Sequence, residues 1–188
     1  MPQFLKNWRR IYRHRKILRT IKIPSEGSVL DLSCGAGQFF RYLHEAGPDL
    51  ELSGIDIDAG EIEQAKKDLP FARFSIGSAE NLNFPEGSFD IVFSIMSLHH
   101  YKNAQKVFAG VGRVLKNGGA LYLIDLIPKY KWTQKLWNWK GCSEPYHFEK
   151  YYSIDELGSI LRPLGLGIVS NKNIVLFPRT RILEIRKL

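Results

Sequence analysis

The hydrophobic pattern of the chain changes its period repeatedly from residue 28 onward. Short apolar runs rich in β-branched residues predict strands at 28–33, 51–56, 72–77, 89–95 and 119–127. The stretches between them have helical periodicity and predict helices at 37–46, 59–69 and 103–116, the last ended by Asn117, Gly118 and Gly119. Strands that alternate with helices are typical of a mostly parallel sheet, so the predicted fold class is α/β, three-layered and doubly wound.

The alternation stops after residue 127. Residues 128–152 are dense in aromatic residues and lysine, and we interpret them as a cap inserted before a helix at 153–162. The chain end predicts two strands around a turn near Phe177, Pro178 and Arg179, which would complete a seven-stranded sheet with an antiparallel hairpin. We therefore expect a single domain over 1–188. Its predicted parts are an N-terminal helix (1–24), a core (25–127), the cap (128–152), and a C-terminal helix and hairpin (153–188).

The positive charge of the chain is concentrated in residues 1–24. Eight of the 27 basic residues precede the first acid, Glu26, and the other 19 equal the acidic residues in number, so the net charge of +8 belongs to this segment. Apolar residues recur there at helical spacing with basic residues on the other side, which predicts an amphipathic helix whose apolar face docks on the domain. The basic residues are Lys6, Arg9, Arg10, Arg13, Arg15, Lys16, Arg19 and Lys22.

Several interpretations of this basic helix stay open. It could bind nucleic acid, lie on a membrane surface, reach an anionic ligand, or present a solvated face. A mitochondrial transit peptide is a weaker alternative, because the segment is rich in arginine but has Thr20 as its small hydroxyl residue.

Composition narrows the class of protein. A chain of 188 residues that is 44% hydrophobic can bury a sizeable core. No apolar run approaches the roughly 18 residues that span a bilayer, and no secretory signal is recognisable, so we expect a cytoplasmic protein. Cys34 and Cys142 lie far apart without metal-ligand spacing, and we expect reduced thiols and no metal site.

The segment SVLDLSCGAG, residues 28–37, places Asp31 in a buried strand that runs into a glycine turn. Open parallel sheets bind ligands outside the carboxyl ends of their strands, and Gly35 and Gly37 allow close approach of the main chain. Asp56 ends the second strand 19 residues after Gly37, near the distance at which an acid binds ribose hydroxyls. We therefore expect a ligand that contains a nucleoside. A dinucleotide is disfavoured, because Phe40 replaces the third glycine of that fingerprint.

Five stretches in order resemble the class I S-adenosylmethionine-dependent methyltransferases, which have a Rossmann-like fold. They are Val29–Gly37, Gly54–Asp58, Gly77–Val92, Leu98–His100 and Arg113–Gly119. The resemblance covers residues 25–127, with a weaker similarity at Tyr152–Leu164. It implies an enzyme whose cofactor is S-adenosyl-L-methionine.

The resemblance also implies roles for individual residues. Asp31 and the turn Gly35–Gly37 would hold the methionyl part of the cofactor, and Asp56 the ribose hydroxyls. The remaining implied contacts are Ile57 and Leu82 on the two adenine faces, Ser78 and Ala79 at its edge, and Ser94 and Ile95 beneath the sulfonium.

Two positions depart from the family pattern. Ser33 is also predicted to bind the cofactor. It stands where the family usually has glycine, so the turn has one fewer residue that can adopt unusual backbone angles without strain. Ser78 stands where the family commonly has an acid, and its hydroxyl is a weaker, uncharged acceptor for the adenine amino group. Structural roles compete as well. Asp31 could be tied to local backbone, and Asp58 is predicted to cap the helix that begins near Ala59.

Three residues just beyond the fourth strand are candidates for a catalytic base: His99, His100 and Tyr101. The alternative for each is a packing or hydrogen-bonding role. Aromatic residues of the cap and the N-terminal helix could form an acceptor pocket or only pack the cap. They are Trp132, Trp137, Trp139, Tyr146 and His147, with Trp8 and Tyr12. The carboxylate of the cofactor, or an acid on the acceptor, could be held by Arg9, Arg10, Arg13, Arg15 or Arg19.

The predicted function is methyl transfer to a small planar or lipid-like metabolite by in-line displacement. The alternatives are an RNA methyltransferase that uses the basic helix, a catalytically silent cofactor-binding partner protein, and a nicotinamide-dependent oxidoreductase. The sequence leaves the oligomeric state open.

Overall fold

The chain folds around one seven-stranded sheet in a computed structural model that describes residues 3–47, 49–128, 134–135, 150–174 and 180–188, with side chains from residue 11 onward. The strands are β1 (Glu26–Leu32), β2 (Asp49–Asp56), β3 (Arg73–Ile76), β4 (Phe89–Ile95), β5 (Leu115–Leu126), β6 (Leu166–Asn173) and β7 (Thr180–Lys187). The α-helices are α1 (Gln3–Thr20), α2 (Gln38–Glu45), α3 (Ala59–Asp68), α4 (Ala104–Val114) and α5 (Ile154–Leu161). Two 3₁₀ turns lie at Leu98–His100 and Arg162–Leu164.

The strand order is β3-β2-β1-β4-β5-β7-β6. Strands β1 to β5 pair in parallel, whereas β7 is antiparallel to both β5 and β6. The predicted seven-stranded, mostly parallel sheet with antiparallel C-terminal strands is therefore confirmed. The predicted hairpin turn at Phe177, Pro178 and Arg179 lies outside the described residues.

The predicted boundary between α4 and β5 is wrong. The helix ends at Val114, and the following strand begins at Leu115, so the asparagine-glycine stretch predicted to end the helix lies inside β5. Leu115 pairs with Phe89 of β4 before a register shift, and Gly118 adopts a positive φ of 80° within that irregularity. The pairing with β4 decides this boundary, and local turn signals do not report it.

Successive strand residues point to opposite faces of a sheet, and the buried side chains accordingly form two clusters. Leu30 belongs to a cluster with Phe108 of α4. Its neighbour Val29 belongs to the other cluster, with Ile17 of α1 and Phe40 of α2. The buried core therefore lies on both faces of the sheet.

Helix α1 packs on the domain through Leu18 of its predicted apolar face, whereas Ile11 of that face is 37% exposed. Ile17 is fully buried, and the His14 ring makes edge contacts with Phe39 and Tyr42 of α2. Arg15 and Arg19 lie on the exposed side. Among the described residues, no helix is both long enough and apolar enough to cross a membrane. The side chains of Trp8, Arg9 and Arg10 lie outside the description.

The predicted cap falls almost entirely outside the described residues, including Trp132, Trp137, Trp139, Tyr146 and His147. What the structure does describe is the point where strand order reverses. β1 lies between β2 and β4, so the carboxyl ends of these strands and of β5 meet at one edge of the sheet. That edge is where a ligand of an open parallel sheet binds.

Candidate functional site

Asp31 is a carboxylate buried inside the sheet. It pairs with Gly54 of β2 and Phe93 of β4, and it is 3% exposed. Its Oδ1 atom has no hydrogen-bond partner among the described residues. Burial, together with the nearby charge of Asp56, raises the pKa of Asp31 well above its ordinary value. A buried acceptor without a partner is costly, and the cost falls when a ligand supplies the donor.

The turn after β1 has a left-handed backbone at three positions: Ser33 (φ 59°), Gly35 (φ 52°) and Gly37 (φ 69°). Ser33 therefore takes the conformation expected of the glycine that it replaces. Of the described residues, a Cβ atom built on Gly35 would meet only Glu61 Oε2, at 3.5 Å, so this part of the chain leaves open space beside Gly35. The main chain at Gly35 can thus be approached by a ligand.

Gly37 is required for a different reason. A Cβ atom there would lie 2.7 Å from both Leu69 Cδ1 and Phe74 Cζ, inside the core. A side chain at Gly37 would therefore collide with the protein itself. Whether its main chain also touches the cofactor stays a prediction.

Asp56 ends β2 and faces the turn. Its Oδ2 accepts from the N–H of Gly35 (2.8 Å), and its Oδ1 accepts from the N–H of Asp58 (3.0 Å). The carboxylate is half-buried, so it keeps an accessible side. Asp58 accepts from the N–H groups of Gly60 and Glu61, which confirms its predicted role as the cap of α3.

The turn carries a negative field. Burial raises the pKa of the Cys34 thiol, and the charges of Asp31 and Asp56 raise it further. Burial disfavours a charge of either sign, whereas the negative charges of Asp31 and Asp56 attract a positive group beside them. The site is electrostatically suited to a cationic ligand such as an ammonium or a sulfonium.

Apolar surface lies beside Asp56. Ile57 is 78% exposed, and Ile76, which pairs with Asp56 in the sheet, is 60% exposed. Ser78 is half-buried, and its Oγ accepts from the N–H of Glu80 (3.2 Å), whereas the neighbouring Ala79 is buried. Exposed apolar side chains therefore lie at this end of β2 and β3.

Leu82 occupies a less open position than the resemblance implies. It is 6% exposed and belongs to a core cluster, where a Cβ atom on Gly110 of α4 would lie 3.3 Å from its Cδ1. Its side chain packs α4 to the sheet. Contact between Leu82 and adenine stays a prediction.

A hydroxyl cluster joins the carboxyl ends of β1 and β4. The hydroxyl of Tyr101 donates to Ser97 Oγ (2.9 Å) and lies 3.2 Å from Ser33 Oγ and 3.4 Å from Ser94 Oγ. Burial raises the pKa of Tyr101, although these serine hydroxyls oppose the shift. The strand is followed by Met96, a non-glycine residue with a positive φ of 57°. The contact between the hydroxyls of Tyr101 and Ser33 links the segment after β4 to the turn after β1.

The candidate base His99 is paired with an acid that the sequence analysis did not single out. His99 Nδ1 lies 2.6 Å from Asp125 Oδ1, and the two residues are 7% and 1% exposed. His100 is exposed, with its ring 4.0 Å from that of His99. A signal for Asp125 was present, because it is the one charged residue in the apolar run ALYLIDLI, as Asp31 is in SVLDL.

The residues present fit the cofactor that the resemblance implies. Asp31 offers an unpartnered acceptor for an ammonium, Asp56 a carboxylate for ribose hydroxyls, and Gly35 an open stretch of main chain. The negative field suits a sulfonium. Within the part of the chain that the structure covers, no group of three or more His, Cys, Asp or Glu side chains is arranged to hold a metal ion.

Comparison with known proteins agrees with the resemblance to methyltransferases. Residues 30–123 match a family model described as a methyltransferase domain. An uncharacterised methyltransferase of Synechocystis is 38% identical over 160 residues, which cover 83% of this chain and 74% of that protein. A demethylmenaquinone methyltransferase of Thermotoga maritima is 32% identical over 114 residues, or 61% of this chain and 50% of that protein.

The fold is similar to that of a solved bacterial protein. The crystal structure of the YcgJ protein of Bacillus subtilis superposes with a TM-score of 0.72 at 26% identity, covering 86% of this chain and 71% of the other.

Proposed function

Because the chain belongs to the S-adenosylmethionine-dependent methyltransferases, we propose that it methylates a small planar or lipid-like metabolite. The family establishes the enzyme class and the cofactor. The acceptor class is supported by one relative named for demethylmenaquinone, and we extend to this chain that kind of acceptor without the particular compound.

We assign the cofactor-holding residues as follows. Asp31 accepts from the ammonium group, Gly35 offers its main chain to the methionyl part, and Asp56 accepts from the ribose hydroxyls. Ile57 covers one face of adenine, with the Ser78–Ala79 pair at its edge. Asp31 Oδ1 is the single observation that carries this assignment, because a buried carboxylate oxygen without a partner needs a donor.

When bound, S-adenosylmethionine supplies a methyl group whose carbon bonds to the acceptor as the carbon–sulfur bond breaks and its electron pair goes to sulfur. The protein aligns the acceptor and excludes water. Ser94 is 2% exposed at the end of β4, with its Oγ 3.0 Å from Ser97 Oγ, and we place it beneath the reacting carbon.

Of the three candidate bases, His99 suits proton transfer best. The hydroxyl of Tyr101 is already donated to Ser97 and braces the turn. His100 lies on the exposed side of the 3₁₀ turn. His99 is buried at the carboxyl edge and has a paired acid.

We also propose the domain organisation predicted from the sequence: one three-layer domain over 1–188, with 128–152 as a cap over the acceptor. Two buried clusters on opposite faces of the sheet support the layering.

Calorimetric titration with S-adenosylmethionine tests the cofactor assignment. Asp56→Ala should weaken binding by about ten- to a hundredfold, because hydrogen bonds to charged groups contribute roughly 1.5–3 kcal/mol. Asp58→Ala is the matched control: it removes a neighbouring carboxylate, and the cap of α3 with it, for a stability loss of about 1 kcal/mol. Its affinity should equal that of the parent. Equal affinity in Asp56→Ala would refute the ribose contact, and a parent that does not bind the cofactor would refute the proposed function.

A further inference from the structure

We propose that Asp125 is a positioning residue that holds His99 as the base for the acceptor's proton. The role of Asp125 rests on the proposed function, and Asp125 is not one of the residues assigned to hold the cofactor.

The pair is assembled by neighbouring strands. Asp125 lies in β5, and His99 lies in the 3₁₀ turn that follows β4, so both project at the carboxyl edge of adjacent parallel strands. Lys150 N–H donates to the carbonyl of His99 (2.9 Å) and so holds the backbone of His99. The pair therefore lies at the same edge as Asp31 and Ser94, where the cofactor and the acceptor meet.

One oxygen of Asp125 determines the orientation. Oδ1 accepts from the N–H of Leu126 (2.6 Å) and lies 2.6 Å from His99 Nδ1. Oδ1 accepts in the Leu126 contact, and the oxygen of an ionised carboxylate can only accept in its second contact as well, which places the imidazole hydrogen on Nδ1. The lone pair of the neutral ring is then on Nε2, the atom that can take a proton.

The ring is also held by its faces. Tyr151 stacks on His99 with ring centroids 5.5 Å apart and an interplanar angle of 20°, and His100 lies against it at 4.0 Å. A base must stay within hydrogen-bond reach of the proton that it takes, so this restriction of the imidazole serves catalysis.

The charge of Asp125 has few partners in the described part of the chain. Its Oδ2 is buried without a hydrogen bond. Arg181, which pairs with Asp125 in the sheet, directs its guanidinium to the carbonyl of Ile127 and to Asn171 Oδ1. The contacts with His99 and with the Leu126 N–H are therefore the hydrogen bonds that the structure gives to this carboxylate.

The proposed step is a single proton transfer. The hydrogen leaves the acceptor atom as a proton and bonds to Nε2 of His99, while the electron pair of its former bond stays on the acceptor atom. The imidazolium is stabilised by Asp125 and later gives the proton to water. Asp125 takes no proton in this step.

Nitrogen-15 NMR of the His99 ring tests this inference without an acceptor. In the parent protein loaded with S-adenosylhomocysteine, the neutral ring should carry its hydrogen on Nδ1. Asp125→Asn should keep that tautomer, because the Leu126 N–H holds the amide oxygen at the Oδ1 position. Asp125→Leu should lose the preference. Asp155→Asn, which removes an exposed acid in the first turn of α5, is the matched control and should change nothing.

Turnover is measured in parallel as S-adenosylhomocysteine formed with a small-molecule extract of the source organism as acceptor. We expect Asp125→Leu and His99→Gln to lower kcat by about a hundredfold or more, within the range for general bases, with unchanged affinity for S-adenosylmethionine. A hydrogen on Nε2 in the parent, an unchanged tautomer in Asp125→Leu, or full turnover in either variant would overturn the inference. A parent that binds no cofactor or shows no turnover would instead refute the proposed function.

Discussion

At the scale of single residues, the site depends on carboxylates placed where apolar strands end. Asp31 and Asp125 are both almost fully buried, and each has one oxygen without a partner among the described residues. Water would satisfy these oxygens in an exposed position, and burial removes that option. Such residues lower the stability of the protein and are retained at sites where a ligand or a proton meets them.

Replacing Asp31 with asparagine should separate stability from function. Burial disfavours the charged form of Asp31, so we expect the apo form of Asp31→Asn to be more stable than the parent at a pH at which Asp31 ionises. Affinity for S-adenosylmethionine should fall about tenfold or more, because the ammonium loses a charged acceptor. Chemical denaturation and calorimetry measure the two effects. A variant with lower stability and unchanged affinity would contradict the assignment.

The same residue predicts a pH dependence with a definite sign. The pKa of Asp31 is raised in the folded protein, so above the unfolded value of about 3.9 the folded state binds more protons than the unfolded state. The stability of the apo parent relative to Asp31→Asn should therefore fall as the pH rises from the unfolded pKa of Asp31 to its raised folded pKa. Denaturation curves of both proteins across this pH range measure the difference, and a relative stability that rises with pH would exclude it.

At the scale of elements, the turn between β1 and α2 shows that glycines of one motif have different physical reasons. Gly35 has open space beside it, whereas Gly37 lies against Leu69 and Phe74. Both have positive φ, which is strained by about 1–2 kcal/mol for a residue with a side chain. Ser33 accepts this strain, and its hydroxyl lies within hydrogen-bond distance of Tyr101.

Alanine at the two glycines should have opposite consequences. Gly37→Ala adds a clash with the core to the backbone strain and should lower the free energy of unfolding by about 2–4 kcal/mol, with little change in cofactor affinity of the folded protein. Gly35→Ala should cost about 1 kcal/mol of stability and weaken cofactor binding, because its methyl group enters the open space. Thermal denaturation and calorimetry distinguish them, and the reverse pattern would show that Gly37 faces the ligand.

At the scale of the whole molecule, the two edges of the sheet have separate tasks. The carboxyl edge gathers Asp31, Asp56 and His99, whereas the amino edge has a cluster that joins strands. There, Asp90 Oδ2 of β4 accepts from Ser28 of β1 (2.8 Å) and from Lys116 Nζ of β5 (2.7 Å). Partial burial alone raises the pKa of Asp90, but these hydrogen bonds outweigh it and hold the pKa below its ordinary value.

Asp90→Asn should therefore destabilise the fold without touching the site. The folded pKa of Asp90 is lowered, so its contribution is present above the unfolded value of about 4 and is lost as the pH falls through the folded value. We expect a loss of about 1 kcal/mol at neutral pH, since the group is partly solvated, and a smaller difference from the parent in acid. Affinity for S-adenosylmethionine should not change. A tenfold loss of affinity would show that the two edges are coupled.

The sequence by itself determined the order of elements and the place of the site. β4 has its predicted bounds, because the apolar period and its flanking turn residues are local properties. The glycine turn and the distance from Gly37 to Asp56 indicated a nucleoside site, and both residues lie at the edge where that prediction requires them. Short-range spacing contains this information, because each of these residues lies at or just after the end of a strand. Neighbouring parallel strands end at the same edge of a sheet, so the residues come together there.

The tertiary structure alone decided the contacts between distant segments. The start of β5 at Leu115, the core packing of Leu82, and the partner of His99 all depend on which strands lie side by side. His99 and Asp125 are 26 positions apart, with α4 between them, and they meet because β4 and β5 pair in parallel. Sequence periodicity reports which face of an element is buried, but the neighbour that covers it is set by packing of the whole chain.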